Sequence, residues 1–178
     1  MKKGDIWISA VLYMALGIIV IALILAASLP LIEKIKDRNT VAETKNLLLS
    51  IDESIKTVAK EGPGSQRELS SLIIKKGQLD VRGTDDTITW QLKTSAPLME
   101  PDIPLKEGVL HLELKSTPVV DEYLMTISLE YENLLDLVLD SPYQSPFMGQ
   151  YSGLVLHNGT FSIAPDGSNV PAITVRIQ

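Results

Sequence analysis

His111 and His157 are the only imidazoles in the chain, and both fall at the polar phase of alternating segments or beside a turn. With no carboxylate that the sequence pairs with either, they read as solvated side chains rather than as metal ligands or proton carriers. Serine, aspartate and histidine all occur, but no serine sits in a G-x-S-x-G elbow, so nucleophilic hydrolysis lacks a local frame. Asp85-Asp86 and Asp166-Gly167-Ser168-Asn169 carry oxygens of the kind calcium takes, without the ligand spacing of a calcium loop, and turn chemistry accounts for them. Asn158-Gly159-Thr160 has the N-x-T form of a glycan acceptor. The same Asn-Gly pair, between Leu154-Val155-Leu156 and Phe161-Ser162-Ile163, predicts a two-residue hairpin, because a type I′ turn needs positive φ at both central positions. Cysteine is absent, which excludes disulfides, thiol nucleophiles and cysteine-based zinc sites together. The side chains therefore predict no catalytic residue, no metal site and no cofactor.

The elements say more than the reactive groups. Ile6–Ile32 holds no charged side chain. At about 1.5 Å per residue such a run is long enough to cross a hydrocarbon layer of about 30 Å. Lys2 and Lys3 ahead of it favour a cytoplasmic amino end, against Lys34, Lys36 and Arg38 behind it. Within the run Ala15, Gly17, Ala22 and Ala26 are small, and Ala22 and Ala26 stand one turn apart, the spacing that lets helices approach closely in lipid. Ordinary alanine content of a lipid-facing helix explains the same residues. Pro30 removes a backbone donor near the outer end and predicts a kink or a local loosening there. Three fates fit this amino end: an uncut signal anchor, a secretory signal cut near Ala26-Ala27-Ser28, and cleavage of a very short leader.

Beyond Ile32 the apolar residues become one-sided, with Ile35, Leu48, Ile51, Ile55 and Val58 at three- and four-residue steps among charged positions. This predicts an amphipathic extension of the same helix, ended by Gly62-Pro63-Gly64. Alternation then takes over: Ile88, Trp90 and Leu92; Leu110, Leu112 and Leu114; Tyr123, Met125, Ile127, Leu129 and Tyr131; Leu135, Leu137 and Leu139; Ile173, Val175 and Ile177. The predicted fold is α+β, a long hydrophobic then amphipathic N-terminal helix followed by a β-rich head, an antiparallel sandwich or barrel (immunoglobulin-like arrangements included) of about seven to nine strands. Proline interrupts the pattern at Ala96–Pro104 and Ser141–Gly149; in the second loop Tyr143, Phe147 and Met148 serve either a subunit contact or a cover for the end of the sandwich. A formal net charge of −6 and the lack of a basic tract in the head argue against nucleic acid as a partner.

The leader Met1-Lys2-Lys3-Gly4, the apolar helix directly behind it and the plan of helix then β head resemble the type IV pilin superfamily, in its archaeal branch with class III signal peptides, which includes adhesive pilins and archaellins. The resemblance implies a membrane aspartyl prepilin peptidase cutting between Gly4 and Asp5. It divides the chain into a leader at 1–4, a helix at 5–61 with a membrane or filament-core part at 6–32 and a stalk at 33–61, and a head at 62–178. Ser9 stands where the bacterial branch has an early glutamate, and the glutamine common after the archaeal cut is missing. Asp5 offers a substitute, since its carboxylate would neutralise the new α-amino group beside an apolar core; a solvated residue favoured by the helix dipole explains it equally. The implied protein is a non-enzymatic subunit of a homopolymeric surface filament for adhesion or surface attachment, inserted in the membrane as a precursor and then assembled by dedicated machinery. The rival expectations are a single-pass anchored binding module for carbohydrate or protein, and a secreted enzyme released near Ser28.

Overall fold

A computed structural model describes residues 7–178 in full and the backbone alone of residues 3–6. The predicted cut between Gly4 and Asp5, and the charge pairing of Asp5, lie outside the fully described residues. Among the described residues one helix, α1 (Lys3–Glu61), is followed by eight strands. The chain divides into two units after Asp37. The first is the apolar part of α1, which stays helical through Pro30.

The second unit, Arg38–Gln178, joins the amphipathic part of α1 to all the strands. From Arg38 on, the expected stalk is therefore part of the same unit as the strands. Its stripe of Leu48, Ile51, Ile55 and Val58 is buried in the same core as the strand residues, and burying such side chains is worth about 1.5–3 kcal/mol each.

The strands are β1 (Gln66–Arg82), β2 (Thr87–Thr94), β3 (Leu105–Glu107), β4 (Leu110–Ser116), β5 (Tyr123–Glu130), β6 (Asp136–Leu139), β7 (Phe147–Ile163) and β8 (Asn169–Ile177). They form one mixed sheet in the order β3-β4-β5-β2-β1-β7-β8-β6. All pairings are antiparallel except β6 on β8, where Leu137 lies opposite Ile173 and Leu139 opposite Val175. Both edges are short strands, which limits edge-to-edge association. The alternating rows face the core as expected: Ile88, Trp90 and Leu92 on β2, Leu110, Leu112 and Leu114 on β4, and Met125, Ile127 and Leu129 on β5.

β1 joins the two halves of the sheet. Gln66–Ile74 pairs with β7 and Gln78–Arg82 with β2, with a register break between Ile74 and Leu79. Gly77 sits in that break at φ +80°, where a Cβ would lie 2.4 Å from the Gln91 carbonyl oxygen and 2.9 Å from the Trp90 ring. Glycine is required there by both conformation and space.

The hairpin expected at Asn158-Gly159 is absent. β7 runs straight through the pair, and the reversal comes at Ala164–Ser168, where the Ala164 N–H donates to the Ser168 carbonyl at 2.9 Å and the Gly167 N–H to that of Ala164 at 2.8 Å. A bulge between Asn158 and Phe161 absorbs the Asn-Gly pair. Local turn propensity loses because Asn158 is held by contacts to the end of α1. At the start of β7, Phe147 is fully buried and stacks edge-to-face on Tyr151 at 5.8 Å, as does Tyr143 from the preceding loop at 5.2 Å, so the aromatics cover the sheet end while Met148 stays exposed.

Candidate functional site

From Trp7 to Ile32 every large apolar side chain of α1 is between 45% and 76% exposed, on all sides of the helix. A helix apolar all round is stable when lipid or other protein surrounds it. Its length and composition are sufficient to cross a membrane. Ala15, Gly17, Ala22 and Ala26 lie on this uncovered surface, and a Cβ on Gly17 would meet nothing within 4 Å. Near Pro30, which has no N–H to donate to the Ala26 carbonyl, the Ser28 hydroxyl donates to the Ile24 carbonyl at 2.7 Å.

The other half of α1 is clasped by polar side chains of the head. Asn158, only 1% exposed, donates from Nδ2 to the Val58 carbonyl at 3.0 Å, and its own carbonyl accepts from the Gly64 N–H at 2.8 Å. The Ser65 hydroxyl donates to the Val58 and Gly62 carbonyls, both at 2.8 Å. Carbonyls of the last turn, which have no partner inside a helix, are thus supplied by β7 and the chain just after α1. An amide nitrogen buried in this role is closed to a glycan, so the acceptor expected at Asn158 is corrected to a structural cap.

One turn and a half earlier, Tyr131 donates from its hydroxyl to Asp52 Oδ1 at 3.1 Å, and Lys56 pairs with Asp52 Oδ2 at 2.8 Å. Burial, then the Asp52 charge, pushes the Tyr131 phenol far up, so it stays a donor throughout the working pH range. Ion pairs Lys45 to Glu107 at 2.7 Å and Lys75 to Glu43 at 2.8 Å close the flanks; half-exposed pairs of this kind add about 0–1 kcal/mol each.

The titratable candidates separate. His111 does have a carboxylate, contrary to expectation: its Nδ1 lies 2.9 Å from Glu130 Oε1, across the β4/β5 pairing that sets His111 opposite Ser128. It lines a groove of about 320 Å³ with Lys106, Glu130 and the Asp52–Tyr131 clasp. His157 lies elsewhere, in a groove of about 440 Å³ on the outer face of β1, β7 and β8, beside Glu68 and Arg176. Among the described residues no three His, Asp or Glu side chains converge as a metal site would need. Asp86, at φ +50°, accepts from the Leu137 N–H at 2.8 Å and ties the β1–β2 turn to β6. Burial raises its carboxyl, with Asp136 and Asp85 adding to the rise and the Leu137 bond opposing it. Asp166 accepts from the Ser168 hydroxyl at 2.6 Å and its N–H at 2.9 Å, which lower its carboxyl and fasten the β7–β8 turn. The turn assignments of both acidic stretches therefore hold.

What the arrangement offers is a surface: the charge-free segment Trp7–Ile32 of α1, uncovered, in a chain whose head has closed its own core. Comparison with protein-family models, curated proteins and solved structures finds no match to this chain.

Proposed function

We propose that the chain is the structural subunit of an archaeal type IV pilus-like surface filament, inserted in the membrane as a precursor and then polymerised, with adhesion or surface attachment as its role. The observation that carries this reading is the contrast within one helix. Residues 38–61 of α1 are used up by their own head, while Trp7–Ile32 stays uncovered. An uncovered apolar rod has two stable surroundings, lipid and other rods. In lipid the hydrophobic effect does not favour association, so packing of small residues such as Ala15, Gly17, Ala22 and Ala26 decides whether rods pair. Heads around such a core would meet through head-to-tail contacts that never close into a ring. The leader Met1-Lys2-Lys3-Gly4 supports the same reading through its resemblance to class III signal peptides.

N-terminal sequencing of the mature chain from native membranes, with electron microscopy of sheared surface material, tests it. The expected mature residue is Asp5 and the expected material is filaments containing this chain. A mature chain beginning at Met1 would make it an anchored module, and one beginning near Leu29 a secreted protein.

A further inference from the structure

We infer that the tip of the β7–β8 hairpin is a docking surface for the apolar part of α1 from a second copy of this chain, an inference that rests on the filament reading and specifies a contact within it. Phe161 and Ile163 are 64% and 76% exposed. The register sets Phe161 opposite Pro171 and Ile163 opposite Asn169, so both share the face of β8 that carries the buried Ile173, Val175 and Ile177. The bulge after Asn158 produces this: it adds one residue to β7 and shifts the phase, where an unbulged strand would have turned Thr160 and Ser162 to that face.

Up to Asn158 this face is covered by the chain's own helix, since Asn158 bonds the Val58 carbonyl and α1 ends at Glu61. Past Asn158 the apolar row continues along the hairpin without that cover. A sheet face whose first part takes a helix is shaped to take another on its continuation. The hairpin face is uncharged, with Phe161, Ile163, Pro171 and Asn169, and Ile6–Ile32 is uncharged as well, so the two meet without burying an unpaired ion. Residues two apart on a strand are spaced about 6.7 Å and residues four apart on a helix about 6 Å, so the two side chains can enter successive grooves of the helix. A hairpin of one copy on the helix of another is a heterologous contact and propagates.

The absence of native cysteine makes the test clean. Chains carrying Ile163→Cys are co-expressed with chains carrying Leu12→Cys, Leu16→Cys, Leu23→Cys or Leu29→Cys, and sheared filaments are oxidised and run on non-reducing gels. The expected result is a heterodimer at one helix position or two adjacent ones, at least fivefold above that from a Val120→Cys control on the β4–β5 hairpin. A second variant, Phe161→Asp with Ile163→Asp, should lose at least tenfold of the filament mass while its buried Trp90 fluorescence and its membrane insertion stay as in the parent. Filaments without the heterodimer, Ile163→Cys dimers alone, or full filament yield from the double variant would each overturn the contact and leave the filament reading in place. A parent chain that forms no filament would overturn both.

Discussion

Asn158 is asked to be a strand residue and a helix cap at once. Its backbone exchanges hydrogen bonds with Gly64 and Ser65 while its amide supplies the Val58 carbonyl. Asn158→Ala removes the amide donor to the Val58 carbonyl, leaving it only the Ser65 hydroxyl, and opens a small cavity, so it should cost about 2–4 kcal/mol. Asn158→Asp should cost more, because it replaces the donor by a carboxylate at the negative end of the helix dipole. Denaturant unfolding in detergent, followed by Trp90 fluorescence in a Trp7→Phe background, measures both, and mass spectrometry of the mature chain should find Asn158 unmodified. Asp86 makes the opposite demand, since its folded-state carboxyl is raised. A raised acid binds its proton more tightly folded than unfolded, so its contribution favours the fold below the ordinary carboxylate range and is lost as pH rises through the folded-state value. Asp86→Asn keeps an acceptor for the Leu137 N–H and tolerates φ +50°. The variant should be at least as stable as the parent at pH 7, with its advantage shrinking as pH falls towards 4, as read from unfolding curves across that range.

The joint between the halves of the sheet depends on Gly77 rather than on any side chain. Gly77→Ala must strain a backbone at φ +80° and push against the Gln91 carbonyl and the Trp90 ring. It should cost about 3 kcal/mol or more and broaden the Trp90 emission, whereas Gly17→Ala, with open space around it, should leave unfolding unchanged. Where an element is specified by its own period, the sequence is readable: α1 and the inward rows of β2, β4 and β5 follow directly from spacing. Where it is specified by a neighbour, it is not. Asn158-Gly159 has every local property of a turn and is held straight by a helix 100 residues earlier in the chain. His111 meets Glu130 only once β4 and β5 are in register, and Asp52 meets Tyr131 across 79 residues. The parallel pairing of β6 on β8 likewise depends on where β7 turns, which the misplaced hairpin hid. For the uncovered helix, composition located the surface. The one-sided stripe of 33–61 announced burial without saying against whose strands, so the boundary between the two units after Asp37 came from the packing.

At the scale of the whole molecule, a membrane anchor and a filament core make different demands on the same uncovered helix. An anchor needs only apolar length, and fluid acyl chains accommodate a larger side chain wherever it points. A core needs close approach, so small positions become steric requirements. Ala22→Trp with Ala26→Trp keeps the segment apolar and long enough to span, so insertion, measured by carbonate extraction, should match the parent. The head, whose unit begins at Arg38, should unfold at the same denaturant concentration. In a packed core, overfilling costs about 1–3 kcal/mol per site. Every subunit added to a polymer would meet that strain at both sites, and each 1.4 kcal/mol lowers an association constant about tenfold. Filament mass in sheared fractions should therefore fall at least tenfold, with unassembled chain accumulating in the membrane. Equal filament yield from the double variant would mean that rods do not meet along this face. Restored assembly on returning Ala22 alone would place the close contact at the turn of Ala22 rather than at that of Ala26.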